Sequence, residues 1–165
     1  NVGIIKIVMK YFTFILIAIV IVGCTTDVST KFPHSNLVET VWQLKQDAYI
    51  MKYHDERGRY YLVPCSTNQY SGLFPDRDYV FNEENIGRTI NGKTWVGGLQ
   101  KGEQVRIIRV LKDPNPEIGT RFYPIAIPLS HNRWVDDNEL NMYWLYDGFE
   151  SKGVLNPVNI EKVIN

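Results

Sequence analysis

The chain has 165 residues, in which 18 Lys and Arg balance 18 Asp and Glu for a formal net charge of zero. The basic residues are scattered singly, which argues against the electrostatic footprint of a nucleic-acid-binding domain. A 44% hydrophobic composition with 13% aromatics is enough for one domain with a substantial core.

The first element is apolar. From Tyr11 to Val22 the sequence carries no charge, and it is preceded by Lys6 and Lys10 and by no acidic residue. A basic stretch followed by a short apolar one is the order of an export signal. These twelve residues fall short of the roughly 17 to 25 that a transmembrane helix needs. Extending the helix back to Val2 would bury Lys6 and Lys10, at about 2.5 to 3.5 kcal/mol each near the bilayer centre. The run closes with Ile21-Val22-Gly23-Cys24, which resembles the lipobox of bacterial lipoproteins. That resemblance implies a helical signal peptide over residues 1–23, cleavage after Gly23 and fatty chains on Cys24. The membrane partner is then lipid, reached through acylated Cys24. Thr25, rather than Asp, follows the cysteine; in a bacterium with two membranes the same pattern implies the outer one. An uncleaved signal anchor with an incidental cysteine is the alternative. Met9-Lys10 is a more natural translational start than Asn1.

Removing residues 1–23 leaves 142 residues, and without Lys6 and Lys10 sixteen basic residues face eighteen acidic ones, a net of −2. Residues 25–35 are polar and turn-rich around Pro33, so 24–36 is expected to be a lipidated tether and 37–165 a single mainly β domain. With Cys24 acylated, Cys65 has no intrachain partner and reads as a small buried hydrophobe.

Residues 37–52 fit two periodicities. Leu37, Val41, Leu44, Ala48 and Met51 repeat as on a helix with Asn36 as N-cap, whereas Trp42, Leu44, Ala48 and Ile50 alternate as on a strand. A strand over 41–53 is preferred, because residues 54–59 look like a loop returning into a paired strand at Tyr60-Tyr61-Leu62-Val63. Arg88-Thr89-Ile90-Asn91-Gly92-Lys93-Thr94-Trp95 places Asn-Gly between two β-compatible runs, a strong hairpin signal. Residues 105–111 read as a strand ended by Asp113-Pro114-Asn115-Pro116. In residues 121–129, Tyr123, Ile125, Ile127 and Leu129 share one face while Pro124 and Pro128 fall on the other, which predicts an edge or broken strand. Tyr143-Trp144-Leu145-Tyr146 reads as a further strand, followed by a short terminal element interrupted at Asn156-Pro157.

Gly98-Leu99-Gln100-Lys101-Gly102-Glu103-Gln104-Val105-Arg106-Ile107 resembles the Leu-x-Lys-Gly-x-x-Val-x-Val stretch of bacterial Src-homology-3-like domains, and Arg133-Trp134-Val135 resembles their closing Gly-Trp-Val. The likeness spans residues 41–140, with a long loop insertion between Val63 and Trp95 and Arg133 in place of the closing glycine. It implies a small Src-homology-3-like barrel whose groove binds peptide or cell-wall fragments. By that analogy Tyr60, Trp134 and Tyr143 are candidates for an aromatic ligand-binding platform. The alternative is that they belong to the core, since most of the 21 aromatics must be buried to make an interior.

Catalytic readings are weaker. His34, His54 and His131 are far apart and sit in no catalytic motif; a cysteine hydrolase would have to pair Cys65 with His54 or His131. Cys65 follows a proline at a strand end rather than opening a helix that would stabilise a thiolate. Asp76-Arg77-Asp78 begins like a calcium loop but lacks its glycine and closing glutamate. His54-Asp55-Glu56 and Asp136-Asp137-Asn138-Glu139 read as solvated turns. No metal, cofactor or catalytic residue is expected. The expected function is that of a lipid-anchored envelope protein with a non-enzymatic binding role towards a peptide, a glycan such as peptidoglycan, or a protein partner. A hydrolase built on Cys65 and a structural subunit of an envelope complex are the alternatives.

Overall fold

The computed structural model describes residues 25–54, 59–65, 78, 81–90, 92–115, 119–130, 139–147 and 156–164. Cys24 and the signal region therefore lie outside the described residues, as do His131, Trp134 and the acidic run 136–138. The fold is mainly β. Its strands are β1 (Thr26–Asp27), β2 (Val41–Leu44), β3 (Ala48–Tyr53), β4 (Tyr60–Pro64), β5 (Thr89–Ile90), β6 (Lys93–Leu99), β7 (Gln104–Asn115), β8 (Gly119–Pro128), β9 (Leu140–Asn141), β10 (Tyr146–Asp147), β11 (Asn156–Pro157) and β12 (Ile160–Lys162). Among the described residues no helix is long and apolar enough to cross a membrane.

Ten strands form one sheet, in the order β12-β2-β7-β8-β9-β4-β3-β6-β5 with β1 added to β7; β10 and β11 pair separately. The sheet is mixed, because β4 and β9 run parallel while the other pairs are antiparallel. Among the described residues its path is open, with β12 and β5 at its two ends.

The ambiguous stretch 37–52 resolves as two strands around a corner. β2 pairs with β7 and β12, whereas β3 pairs with β4 and β6. The corner at residues 45–47 is held by its own polar groups: Asp47 Oδ1 accepts from Lys101 N–H at 2.8 Å, and Gln46 Nε2 donates to Asn159 Oδ1 at 2.6 Å. The next tight turn carries Gly102 at φ 91°, where any side chain would be strained. The hairpin read from Asn91-Gly92 is present, with Ile90 opposite Lys93 and Gly92 at φ 72°.

Three local expectations are revised. The segment expected to be a tether is folded onto the sheet: Thr26 pairs with Lys112, and Val28 and His34 are buried. A short polar segment can do this because β7 outlasts β2 and leaves an unpaired edge that β1 fills. β7 itself does not end before Pro114 but runs to Asn115, with Pro114 opposite Thr120 beyond the reach of β1; a proline is tolerated at such an edge. Tyr143–Leu145 is a 3-10 turn rather than a strand, with Tyr143 N–H donating to Asn141 Oδ1 at 2.9 Å.

Alternation along the strands divides the side chains between two faces. The inner face gathers Trp42, Leu44, Ala48, Ile50, Leu62, Leu99, Val105, Ile107, Val110, Ala126, Leu140, Met142, Leu145 and Ile160 into one core. The outer face of β3, β4 and β6 carries a second cluster, Tyr49, Met51, Val63 and Trp95, with Tyr53, Tyr61, Cys65, Phe81 and Trp144 packed against it.

Candidate aromatic binding face

The outer cluster is built by period-two spacing. On β3, Ala48 and Ile50 join the inner core, so Tyr49 and Met51 turn outward. On β4, Leu62 points inward and Tyr61 outward. β9 continues the pattern: Leu140 lies opposite Tyr60 in the inner core, and Asn141 lies opposite Tyr61. On β8, Ala126 is inward, which puts Tyr123 and Ile125 on the outer face.

The rings touch in three groups. Tyr53 and Tyr61 have centroids 4.6 Å apart, and Tyr49 meets Trp95 edge-on at 5.1 Å. Beyond Asn141, Tyr123 and Tyr143 are 5.5 Å apart, and Tyr143 meets Trp144 at 5.4 Å. Tyr49, Trp95 and Tyr123 are buried, while Tyr53, Tyr61, Tyr143 and Trp144 are half-buried and present ring surface to solvent. The buried rings thus act as a floor that fixes the exposed ones. Cations border the face: the Arg121 guanidinium lies 5.4 Å from the Tyr143 centroid and Lys93 Nζ 5.2 Å from that of Tyr53.

Two polar groups sit within this apolar setting. The Tyr123 hydroxyl donates to Asp113 Oδ2 at 3.0 Å; burial, reinforced by the Asp113 charge, pushes its pKa up to about 12 against the pull of Arg121. It is a neutral donor at any physiological pH. Asn141 is 1% exposed, and its Nδ2 has no partner among the described residues.

The sequence candidates fall on different faces. Tyr143 adjoins the outer cluster through its edge-on contact with Trp144. Tyr60 packs against the inner core with Lys52 Nζ 5.4 Å from its ring, so the two are not brought together. Its neighbour Tyr61 shares the face of Tyr143. Trp134 and the proposed lipid attachment, Cys24, lie outside the described residues. Tyr53, Tyr61, Arg121, Tyr123 and Asn141 are not among the platform candidates that the sequence offers. The alternation of Tyr60-Tyr61-Leu62-Val63 carried the signal for Tyr61, once the face of Leu62 is known.

Cys65 is half-buried against the outer cluster, and its amide donates to Asp47 C=O at 2.9 Å. His54 follows the far end of β3, so the six residues of that strand separate the two by about 20 Å. His54 Nε2 instead contacts Thr94 Oγ1 at 2.5 Å. A Cys65–His54 dyad is therefore not assembled. Among the described residues no group of three or more His, Cys, Asp or Glu side chains is placed to hold a metal ion. Glu139, at the end of the acidic run, pairs with Arg109. No protein-family model, curated protein or solved structure matches the chain.

Proposed function

We propose that the chain is a lipoprotein of the bacterial cell envelope, anchored through acylated Cys24, whose β domain binds a peptide or glycan of that envelope without catalysis. The observation that carries the reading is the outer face, where Tyr53, Tyr61, Tyr143 and Trp144 stand half-exposed over a floor of buried aromatics. Rings held in place beforehand lose little freedom on binding, and their faces suit both sugar rings and peptide side chains. Bordering Arg121 and Lys93 add donors for carboxylates or hydroxyls. A small Src-homology-3-like barrel is the finer architecture proposed; the corner between β2 and β3 and the core enclosed on the inner face support it, with β12 and β5 at the two ends of the described path.

Two experiments test the proposal. Metabolic labelling with a palmitate analogue should tag the parent chain and not Cys24→Ala; equal labelling of both removes the anchor. Binding of the detergent-solubilised full chain to peptidoglycan and to envelope peptides should fall about ten-fold in Tyr61→Ala, the loss of roughly one stacked ring. Tyr60→Ala, if folded, should keep its affinity. Equal loss in both variants refutes a binding role for the outer face.

A further inference from the structure

The folded segment 26–36 restricts how an acylated chain can sit on its membrane. One residue, Thr25, separates Cys24 from β1, and β1 is fixed to β7 by the pairing of Thr26 with Lys112 and Asp27 with Leu111. At about 3.5 Å per residue, the lipid attachment lies within roughly 7 Å of that sheet edge. The same edge of β7 carries the rest of the segment. Val28 N–H donates to Val110 C=O and Glu39 N–H to Ile107 C=O, so residues 29–38 bulge out between these two points. At the bulge Phe32 is 82% exposed beside the exposed Lys31. Ile164, 91% exposed, follows Val163, whose amide donates to Val41 C=O on β2, the neighbouring strand of this edge.

We propose that this edge, formed by β1 and the 29–38 bulge, is a bilayer-docking surface, with Phe32 inserted among the lipid headgroups next to the acyl chains. The inference rests on acylation of Cys24. An exposed aromatic ring is accommodated at the level of the headgroups, and Lys31 can bury its stem there while its ammonium meets phosphate. Leu129, 40% exposed, marks the opposite end: its amide donates to Gln104 C=O, and the eight residue steps of β7 from Gln104 to Lys112 span about 26 Å. Docking at the β1 edge keeps Leu129 in water.

The test uses the acylated full chain in phosphatidylethanolamine–phosphatidylglycerol vesicles. A nitrobenzoxadiazole label is placed at Phe32→Cys or Leu129→Cys in a Cys65→Ala background, Cys24 being blocked by its thioether. The label at position 32 should emit to the blue and be quenched by spin-labelled lipid at least about two-fold more than the label at 129. Equal quenching, with the acyl mass present on Cys24, overturns the docking and leaves the anchor standing. Absence of the acyl mass overturns both. A label-free variant guards against misfolding of the Cys65→Ala background: Phe32→Ser should speed transfer of the acylated chain between vesicles about ten-fold, and an unchanged rate overturns the proposal.

Discussion

Val110 and Pro124 face each other across β7 and β8 without exchanging ladder hydrogen bonds. The Val110 amide donates instead to Ser29 Oγ at 2.9 Å, and its carbonyl accepts from Val28 N–H at 2.9 Å. A proline at position 124 therefore removes no bond to β7, and on its other side its carbonyl accepts from Met142 N–H at 2.9 Å. Pro124 is tolerated inside the sheet because β9 covers β8 only at Ile125 and Ala126.

Ser29 follows from this relationship. Its hydroxyl accepts from Val110 and donates to Asp27 Oδ1, so Ser29→Ala strands a part-buried amide and should cost about 1 to 2 kcal/mol in urea unfolding. Ser29→Thr should recover most of it. The same side-chain hydrogen bond, with one from the Ser29 amide, holds the Asp27 carboxyl below its ordinary 3.8. Stability from Asp27 is thus present above 3.8 and lost as pH falls through the lower folded value; Ser29→Ala should move the carboxyl titration upward.

Much of the sheet is legible in the sequence where a strand has one wet face or a turn with special backbone needs. Asn91-Gly92 announces its hairpin, and Ile125 and Ala126 alternate as expected. β3 is harder, because Ala48, Tyr49, Ile50 and Met51 are all buried, half against each cluster, and alternation disappears when both faces are covered. That is why residues 37–52 also fit a helix. The aromatic face was legible only in part for the same reason. Tyr60 and Tyr61 are equivalent as residues, and only the partners of Leu62 and Leu140 decide which one turns outward. The docking of residues 26–36 is set by a length mismatch between β2 and β7, a long-range property that local composition does not encode.

Gly98 is buried where β6 crosses β3. A Cβ there would lie 2.6 Å from the Phe81 ring and 2.9 Å from the Ala48 carbonyl oxygen. Gly98→Ala should therefore destabilise by about 2 to 3 kcal/mol, read as a lowered urea midpoint. Phe81→Ala in the same chain relieves the ring contact but not the backbone one, so it should fail to restore the parent midpoint. Full rescue would show that β6 can shift away from β3.

His34 is 5% exposed and stacks on Phe122 at 4.4 Å, and burial lowers its pKa below the ordinary 6.5. In the unfolded chain the imidazole takes a proton near 6.5; in the folded chain it does so only at lower pH. Its contribution is therefore intact above 6.5 and declines as pH falls from there towards the folded value. His34→Phe keeps a ring against Phe122 without a titrating nitrogen. Its urea midpoint should change less than that of the parent between about pH 7.5 and 5. An identical pH dependence in the two proteins assigns the effect to another group.

Tyr123 provides the opposite limb. Its phenol is neutral in both states below 10; above that the unfolded chain releases the proton, while the folded one holds it to about 12. Stability from this group is thus complete below 10 and is lost as pH rises from 10 to about 12. Burial is the larger cause and the Asp113 charge the next, so Asp113→Asn, which keeps an acceptor for the hydroxyl, should lower the folded value without returning it to 10. Phenolate absorbance, taken as the difference from Tyr123→Phe, isolates the one ring. Full return to 10 in Asp113→Asn would make the carboxylate, rather than burial within the aromatic face, the dominant cause. An unshifted titration would place Asp113 too far away to act on the ring.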